Sequence, residues 1–162
     1  MKRNSRNGPP ARSADPRRVI AIRRERGLPW KVSAAAIRRA ARRTLDHQAF
    51  RRACSLSLVL AGEKTLAALN TRYRGVARAT DGVSFPSRIV DRETGLLHLG
   101  DIVLSLPRAV RQAAARHAPL ETEILLLAIH GTLHLLGHDH EKAAEKKRMW
   151  QAQKQILKEV LA

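Results

Sequence analysis

The first half of the chain alternates between apolar patterns typical of strands and of helices. Residues 19–22 form a short apolar run that predicts a first strand. Between Ser33 and His47 apolar residues recur every fourth position, which places them on one stripe of a helix. Residues 55–60 begin with alternating serine and leucine and therefore predict a second strand.

The middle of the chain continues this alternation. We predict, in order, a helix over 63–72, a short strand over 80–85 closed by Pro86, a hairpin or loop over 87–96, a strand over 97–106, and a helix that starts at Pro107 and ends near His117. The strand over 97–106 has the strongest strand pattern in the chain.

The last third of the chain is predicted to be helical. A helix beginning at Pro119 is apolar on all sides over 124–129, which is typical of a helix buried on most of its faces. A last helix is expected to run from His140 to the C-terminus. Its expected apolar seam consists of Met149, Ile156, Val160 and Leu161.

The element order predicts one α+β domain, with a small mixed four-stranded sheet packed with helices around a central buried helix. We expect this domain to span residues 18–162. Residues 1–17 are rich in Arg, Pro, Asn and Ser and are expected to be a disordered basic arm. The arm could add nonspecific affinity for RNA or have no role.

Composition narrows the classes of function. The 162 residues carry 31 Lys and Arg against 14 Asp and Glu, and the net charge of +17 favours a nucleic-acid partner over a merely solvated basic surface. The single cysteine, Cys54, excludes an internal disulfide and is expected to be a small buried hydrophobe. There is no apolar run of membrane-spanning length and no secretory signal pattern, so we expect a cytoplasmic protein that does not contact a membrane.

The clearest chemical pattern is the stretch His130-Gly-Thr-Leu-His-Leu-Leu-Gly-His-Asp-His140. His130 and His134 would share one face of the central helix. Gly137 can end that helix in the left-handed conformation, so that the chain folds back and offers His140. Three imidazoles from a helix and its exit turn are typical of a zinc site with an open fourth position. We therefore predict one zinc ion per chain on these three histidines.

Neighbouring residues modify this prediction. The histidine spacing is that of the metzincin proteases, whose general base is a glutamate at the position of Gly131, so the pattern favours a metal-dependent hydrolase other than a protease. His138 is a rival third ligand, although it would require the helix to continue through Gly137. Asp139 is expected to orient a ligand imidazole or to cap the last helix.

Two more residues are candidates for the site. Arg74 is either a surface arginine at a helix end or a clamp for phosphate, whose oxygens a guanidinium binds in a bidentate manner. Asp101 lies inside the strongest predicted strand and needs a partner there. It is either a group that supports the metal ligands or a member of an ion pair.

The histidine stretch closely resembles the signature of the bacterial YbeY family of metal-dependent endoribonucleases. Two further blocks are similar to that family and occur in its order, the first being Leu69–Arg74 followed by Thr80–Pro86 and the second Leu99–Leu104. The resemblance covers roughly residues 55–162. One departure is His138, where the family usually has a tyrosine.

This resemblance implies zinc on His130, His134 and His140 and an RNA-facing arginine at Arg74. It implies cleavage of single-stranded RNA in the maturation of the 3′ end of small-subunit (16S) ribosomal RNA, and a role in ribosome quality control. The implied partners are ribosomal RNA, the small ribosomal subunit and ribosome-assembly factors. We expect the protein to be a monomer.

Two other functions stay open on the sequence alone. A noncatalytic ribosome-assembly factor would hold a structural zinc with a fourth protein ligand. A metallopeptidase would bring a Glu or Asp to the metal from elsewhere in the chain, although the basic charge argues against it. The favoured hypothesis is an endoribonuclease in which Arg74 neutralises charge on the phosphate.

Overall fold

Four strands and five helices make up the described part of the chain, which in this computed structural model is residues 14–74, 82–138 and 141–162. In chain order they are β1 (Arg18–Arg24), α1 (Ala34–His47), β2 (Cys54–Ala61), α2 (Glu63–Arg74), β3 (Gly82–Val90), β4 (Leu97–Ser105), α3 (Leu106–Ala115), α4 (Leu120–Leu135) and α5 (Ala143–Leu161). The predicted single-domain α+β fold with a four-stranded mixed sheet is confirmed.

The sheet has the strand order β1-β2-β4-β3. The first three of these strands are parallel, and β3 pairs antiparallel with β4. The alternating pattern of β2 determines which side chains face the main core: Leu56, Leu58 and Leu60 are at most 1% exposed and join the large apolar cluster. Ser55 and Ser57 therefore lie on the opposite face of the sheet.

α4 is the central helix of the fold. It packs against α1, α3 and α5 and against strands β3 and β4. Ile124, Ala128, Ile129 and Leu133 have no exposed surface, as the all-round apolar pattern predicts. A polar side chain at a buried position of α4 must therefore find its partner inside the protein.

α2 packs on the other face of the sheet. Leu66 has no exposed surface and forms a second, smaller apolar cluster with Ala61, Val83 and Val103. The sheet is thus covered by several helices on one face and by α2 over part of the other face, in the arrangement expected of an α+β domain.

The prediction for the third strand was wrong at its C-terminal end, because β3 continues through Pro86 to Val90. Proline is tolerated here because β3 lies at an edge of the sheet and the pairing with β4 shifts just after Pro86. Opposite Pro86, Gly100 has a φ of 140°, and a Cβ there would lie 2.2 Å from the Phe85 carbonyl oxygen. Thr80 and Asp81, which the prediction included, lie outside the described residues.

The prediction for α5 was also wrong at its N-terminal end and for one residue of its seam, whereas the helix runs to the C-terminus as predicted. The helix begins at Ala143 rather than His140. Its buried seam contains Met149, Ile156 and Val160, as predicted, whereas Leu161 is 53% exposed. Leu161 follows Val160 directly and therefore points about 100° away from it around the helix.

Arginines of α1 cover the outer edge of β1. The Arg38 Nε–H donates to the Ile20 carbonyl oxygen at 3.1 Å, and Arg42 donates to the Arg18 carbonyl oxygen at 3.2 Å. The Arg18 side chain in turn donates to the Asp46 carboxylate. These bonds occupy carbonyl groups that an additional strand would need for pairing.

The single cysteine belongs to the core. Cys54 is 1% exposed. Burial raises the pKa of its thiol above the ordinary value, and the nearby Arg18 and Arg42 guanidiniums offset part of that rise. The prediction of a small buried hydrophobe is confirmed.

The predicted basic arm lies mostly outside the described residues, which begin at residue 14. Its disorder therefore stays a prediction. Across residues 14–74, 82–138 and 141–162, no helix combines the length and the apolar character needed to cross a bilayer.

Candidate metal centre

Two histidines of α4 direct their ring nitrogens at each other. The Nε2 atoms of His130 and His134 are 3.0 Å apart, and the two rings meet edge to face with 4.6 Å between their centroids. Two imidazole nitrogens that bind one tetrahedral zinc ion are about 3.3 Å apart, given Zn–N bonds of about 2.0–2.1 Å. The pair is therefore arranged as two ligands of one ion would be.

Gln153 of α5 fixes the orientation of His130. Its Oε1 lies 2.8 Å from the His130 Nδ1. An amide oxygen only accepts hydrogen bonds, so Nδ1 carries the proton and the lone pair of Nε2 faces His134. Histidines that bind metals characteristically donate their second ring N–H to such an acceptor.

Sequence reasoning missed Gln153, although a signal for it was present. The buried seam of α5 contains Met149, Ile156 and Val160, and Gln153 occupies the remaining position of the same helical stripe. A polar residue inside an apolar seam needs a polar partner on the helix that it packs against. Here that partner is His130 on α4.

Gly131 lies where α4 packs closely against Ile102 of β4. A Cβ at this position would be 2.8 Å from the Ile102 Cγ2 atom of β4. The position that holds the glutamate base of a metalloprotease therefore faces the core in this fold, and it has no room for a longer side chain.

α4 ends in a Schellman motif. Gly137 has a φ of 95°, its N–H donates to the His134 carbonyl oxygen, and the His138 N–H donates to the Leu133 carbonyl oxygen. This confirms the predicted helix end at Gly137. The chain reverses here, just before Asp139 and His140, which both lie outside the described residues.

The His138 ring contacts the residue that ends α1. Its Nε2 lies 2.6 Å from the Gln48 Oε1 atom. Burial lowers the pKa of His138, and Arg148 and His47 lower it further. Within the described residues, no third His, Cys, Asp or Glu gathers with the pair into a group that could hold a metal.

Asp101 lies on the other face of the sheet from α4. The neighbouring Ile102 contacts Gly131, and successive side chains of a strand alternate between faces. The Asp101 carboxylate accepts a hydrogen bond from Ser57 and lies 3.2 Å from the His98 Nε2. Asp101 therefore has polar partners on that face of the sheet, and both roles considered for it stay predictions.

Arg74 is the last residue of α2, and its side chain lies outside the described part of the structure. The structure therefore gives no contact for this candidate. Its role as a phosphate clamp stays a prediction.

A groove runs along α4 and ends at His130. We call it the tryptophan groove: its floor is the stripe of α4 from Glu123 to His130. One wall is formed by Gln112 of α3 and by Arg116, which follows α3, and the other by Trp150 and Gln153 of α5. Its volume is about 260 Å³. The groove thus opens beside the histidine pair, and Gln153 contributes to both.

Several curated proteins that are similar to this chain are named Endoribonuclease YbeY. Residues 21–161 match the family described as Endoribonuclease YbeY. The chain is 44% identical over 102 residues to the Endoribonuclease YbeY of Thermus thermophilus, a match that covers 63% of this chain and 73% of the relative. It is 38% identical over 122 residues to the protein of the same name from Pelotomaculum thermopropionicum, covering 74% and 80% respectively.

The fold is also similar to a solved structure. The solution structure of TM1509 from Thermotoga maritima superposes with a TM-score of 0.59 at 26% sequence identity. The match covers 88% of this chain and 89% of that protein. The architecture is therefore shared over most of both chains.

Proposed function

This chain belongs to the YbeY family of endoribonucleases, and on that premise we propose that it is a zinc-dependent enzyme that cleaves single-stranded RNA. Its substrate in the cell is the 3′ end of small-subunit (16S) ribosomal RNA, and it takes part in ribosome quality control. The observation that carries the proposal is the approach of the His130 and His134 Nε2 atoms to 3.0 Å.

The residues present fit a zinc ion. His130 and His134 would supply two nitrogen ligands, and His140, two residues beyond the described turn at His138, would supply the third. A divalent ion held there would supply Lewis-acid chemistry to a phosphodiester and leave a coordination position for the substrate.

Other residues of the protein would orient the metal ligands and bind the RNA. Gln153 keeps the proton of His130 on Nδ1, so that its Nε2 is available as a ligand. Arg74 would neutralise charge on the scissile phosphate, because a guanidinium matches two phosphate oxygens. The basic surface, part of the net charge of +17, would concentrate RNA near the site.

Two observations weigh against the other candidate functions. A structural zinc would need a further protein ligand, and His138, the rival ligand in the sequence, lies against the Gln48 amide instead. A metallopeptidase would need an acid beside the metal, and Gly131, where such enzymes hold their glutamate, packs against Ile102.

The test combines metal content with RNA cleavage. His134→Ala should lose both bound zinc and cleavage of single-stranded RNA, whereas His117→Asn should lose neither. His117 is an exposed histidine outside the pair with a φ of 52°, a conformation that asparagine tolerates. In cells, His130→Ala should leave the 3′ end of 16S ribosomal RNA unprocessed. Cleavage that persists in metal-free His134→Ala would refute the proposal.

We propose further that the enzyme works in the cytoplasm as a monomer, with the small ribosomal subunit and its assembly factors as partners. Sedimentation of ribosomal particles from cells should find the protein with small subunits. A distribution confined to fractions without ribosomal particles would contradict this part of the proposal.

A further inference from the structure

We propose that the tryptophan groove is a nucleobase-binding subsite, in which an unpaired base of the RNA stacks on Trp150 and so positions the neighbouring phosphate at the histidine pair. This inference rests on the proposed function and adds to it a residue that binds the substrate. Neither the family motif stretches nor the metal ligands include Trp150.

The groove leads directly to the candidate metal centre. Its floor residues Glu123, Leu127 and His130 follow one another at helical spacing, and His134 is the next residue on the same stripe. His134 lies one further turn along α4, about 6 Å from His130 along the helix axis. A base in the groove would therefore hold the adjoining backbone beside both histidines.

Trp150 has the exposure expected of a stacking platform. It is 60% exposed, although large aromatic side chains are normally well buried. Aromatic rings that line a positively charged groove bind successive bases of single-stranded nucleic acid by stacking. The Lys146 ammonium lies over the Trp150 ring, 6.0 Å from its centroid, and adds a positive charge beside this platform.

The opposite wall offers groups that can bind the edge of a base. Gln112 carries both a donor and an acceptor, and Arg116 carries donors. Arg116 lies 3.3 Å from the buried Glu123 carboxylate, yet its side chain is 58% exposed. An anchored and accessible guanidinium of this kind can donate to a base or to a phosphate.

The size of the groove favours a single base. Its volume of about 260 Å³ is below the range of about 300–1,000 Å³ that is typical of sites for drug-sized ligands. A planar ring system fits such a space, whereas a paired base could enter only after leaving its helix. The groove would thus select unpaired RNA.

Stacking can be measured without cleavage by the fluorescence of Trp150. Trp30 is the other tryptophan of the chain, and Trp30→Phe leaves Trp150 as the only indole. In this zinc-loaded variant, 2′-O-methyl oligoadenylate, which cannot be cleaved through the 2′-hydroxyl, should quench the fluorescence. The same backbone without bases should quench it much less.

Kinetics then test the role of the ring in catalysis. Trp150→Ala should raise the KM for a single-stranded RNA about 5- to 100-fold, the equivalent of losing one stacked base, and should change kcat little. Trp150→Phe should keep a KM close to that of the wild type, because phenylalanine can still stack, whereas Trp150→Leu should raise the KM as Trp150→Ala does. Leu161→Ala is the matched control, because Leu161 is exposed on the same helix but lies outside the groove.

The outcomes separate this inference from the proposed function. If the wild type cleaves RNA but Trp150→Ala keeps its KM, or if bases do not add to the quenching, the subsite is refuted and the proposed function stands. A groove that binds a protein segment instead would give the same absence of quenching. Base-dependent quenching in a wild type that cleaves no RNA would support the subsite and refute the proposed function.

Discussion

Gln153 is the residue that determines how His130 can act. Gln153 belongs to a different helix, α5. Its amide oxygen accepts a hydrogen bond from the His130 Nδ1–H and thereby leaves the Nε2 lone pair directed at His134. A histidine without this partner could rotate or change tautomer, so the amide prepares the pair before any ion binds.

Replacing this amide should weaken zinc binding. We expect Gln153→Leu to lower zinc affinity about 10- to 100-fold, because the ring of His130 loses the acceptor that orients it. Competition with a chromophoric chelator measures the affinity. Gln155→Leu is the control, since Gln155 is exposed and bonds to Glu159 instead. Wild-type affinity in Gln153→Leu would contradict the proposed role.

Replacing Gly131 should destabilise the protein, because a larger side chain there would overpack the core. Alanine gains up to about 1 kcal/mol over glycine in a helix, but overpacking a core costs about 1–3 kcal/mol. Three atoms of Ile102 would lie within 3.2 Å of the new Cβ. We expect Gly131→Ala to be less stable by about 1 kcal/mol in urea unfolding. Adding Ile102→Ala should relieve the clash, so the double variant should lose less stability than the sum of the two single losses. Additive losses would contradict a clash between residue 131 and Ile102.

Among the elements, α4 is the one whose sequence pattern predicted its structure most completely. Its all-round apolar composition predicted burial, and Gly137 predicted the end of the helix. Both depend on local properties, namely side-chain polarity and the conformational freedom of glycine, so they can be inferred without knowing the partners of the helix.

β3 and Gln153 show where such inference stops. Pro86 usually ends a strand, and only the edge position of β3 permits it to stay within one. The contact between Gln153 and His130 and the contact of Asp101 with His98 and Ser57 depend on which elements become neighbours. The apolar seam of α5 indicates that Gln153 needs a polar partner. Which residue becomes that partner depends on how the helices pack, and no local pattern in the sequence gives it.

The covered edge of β1 should keep this strand from pairing with other molecules. Arg38→Ala with Arg42→Ala would free the carbonyl groups of Ile20 and Arg18, and a free strand edge pairs with other edges. We expect this variant to self-associate in analytical ultracentrifugation. Arg39→Ala with Arg43→Ala removes the same charge from α1 and should leave the oligomeric state unchanged. Equal behaviour of the two variants would contradict the role of the edge.

At the scale of the whole molecule, metal binding and folding should be coupled. His130 and His134 lie on the central helix, so an ion bound by both is lost when the core opens. The rigidity of the central helix α4 would then help to keep His130 and His134 in place for the ion.

Removing the metal should therefore lower the melting temperature. Zinc at a hundredfold excess over its Kd adds about 2.7 kcal/mol of stability, which for a chain of this size is about 5 to 10 °C in Tm. Calorimetry of the zinc-loaded and the chelator-treated protein measures this difference. His134→Ala should melt at the same temperature with and without zinc, and a shift that persists in that variant would place the ion elsewhere.

The bonds that hold arginines along β1 also affect how strongly RNA binding should depend on salt concentration. If all of the net charge of +17 displaced cations from single-stranded RNA, log affinity would fall against log salt concentration with a slope of about −12. Arg18, Arg38 and Arg42 already bond to the protein's own carbonyl and carboxylate oxygens. Guanidiniums held along β1 are less available to phosphates, so the measured slope should be shallower than about −12 and the affinity correspondingly less sensitive to salt.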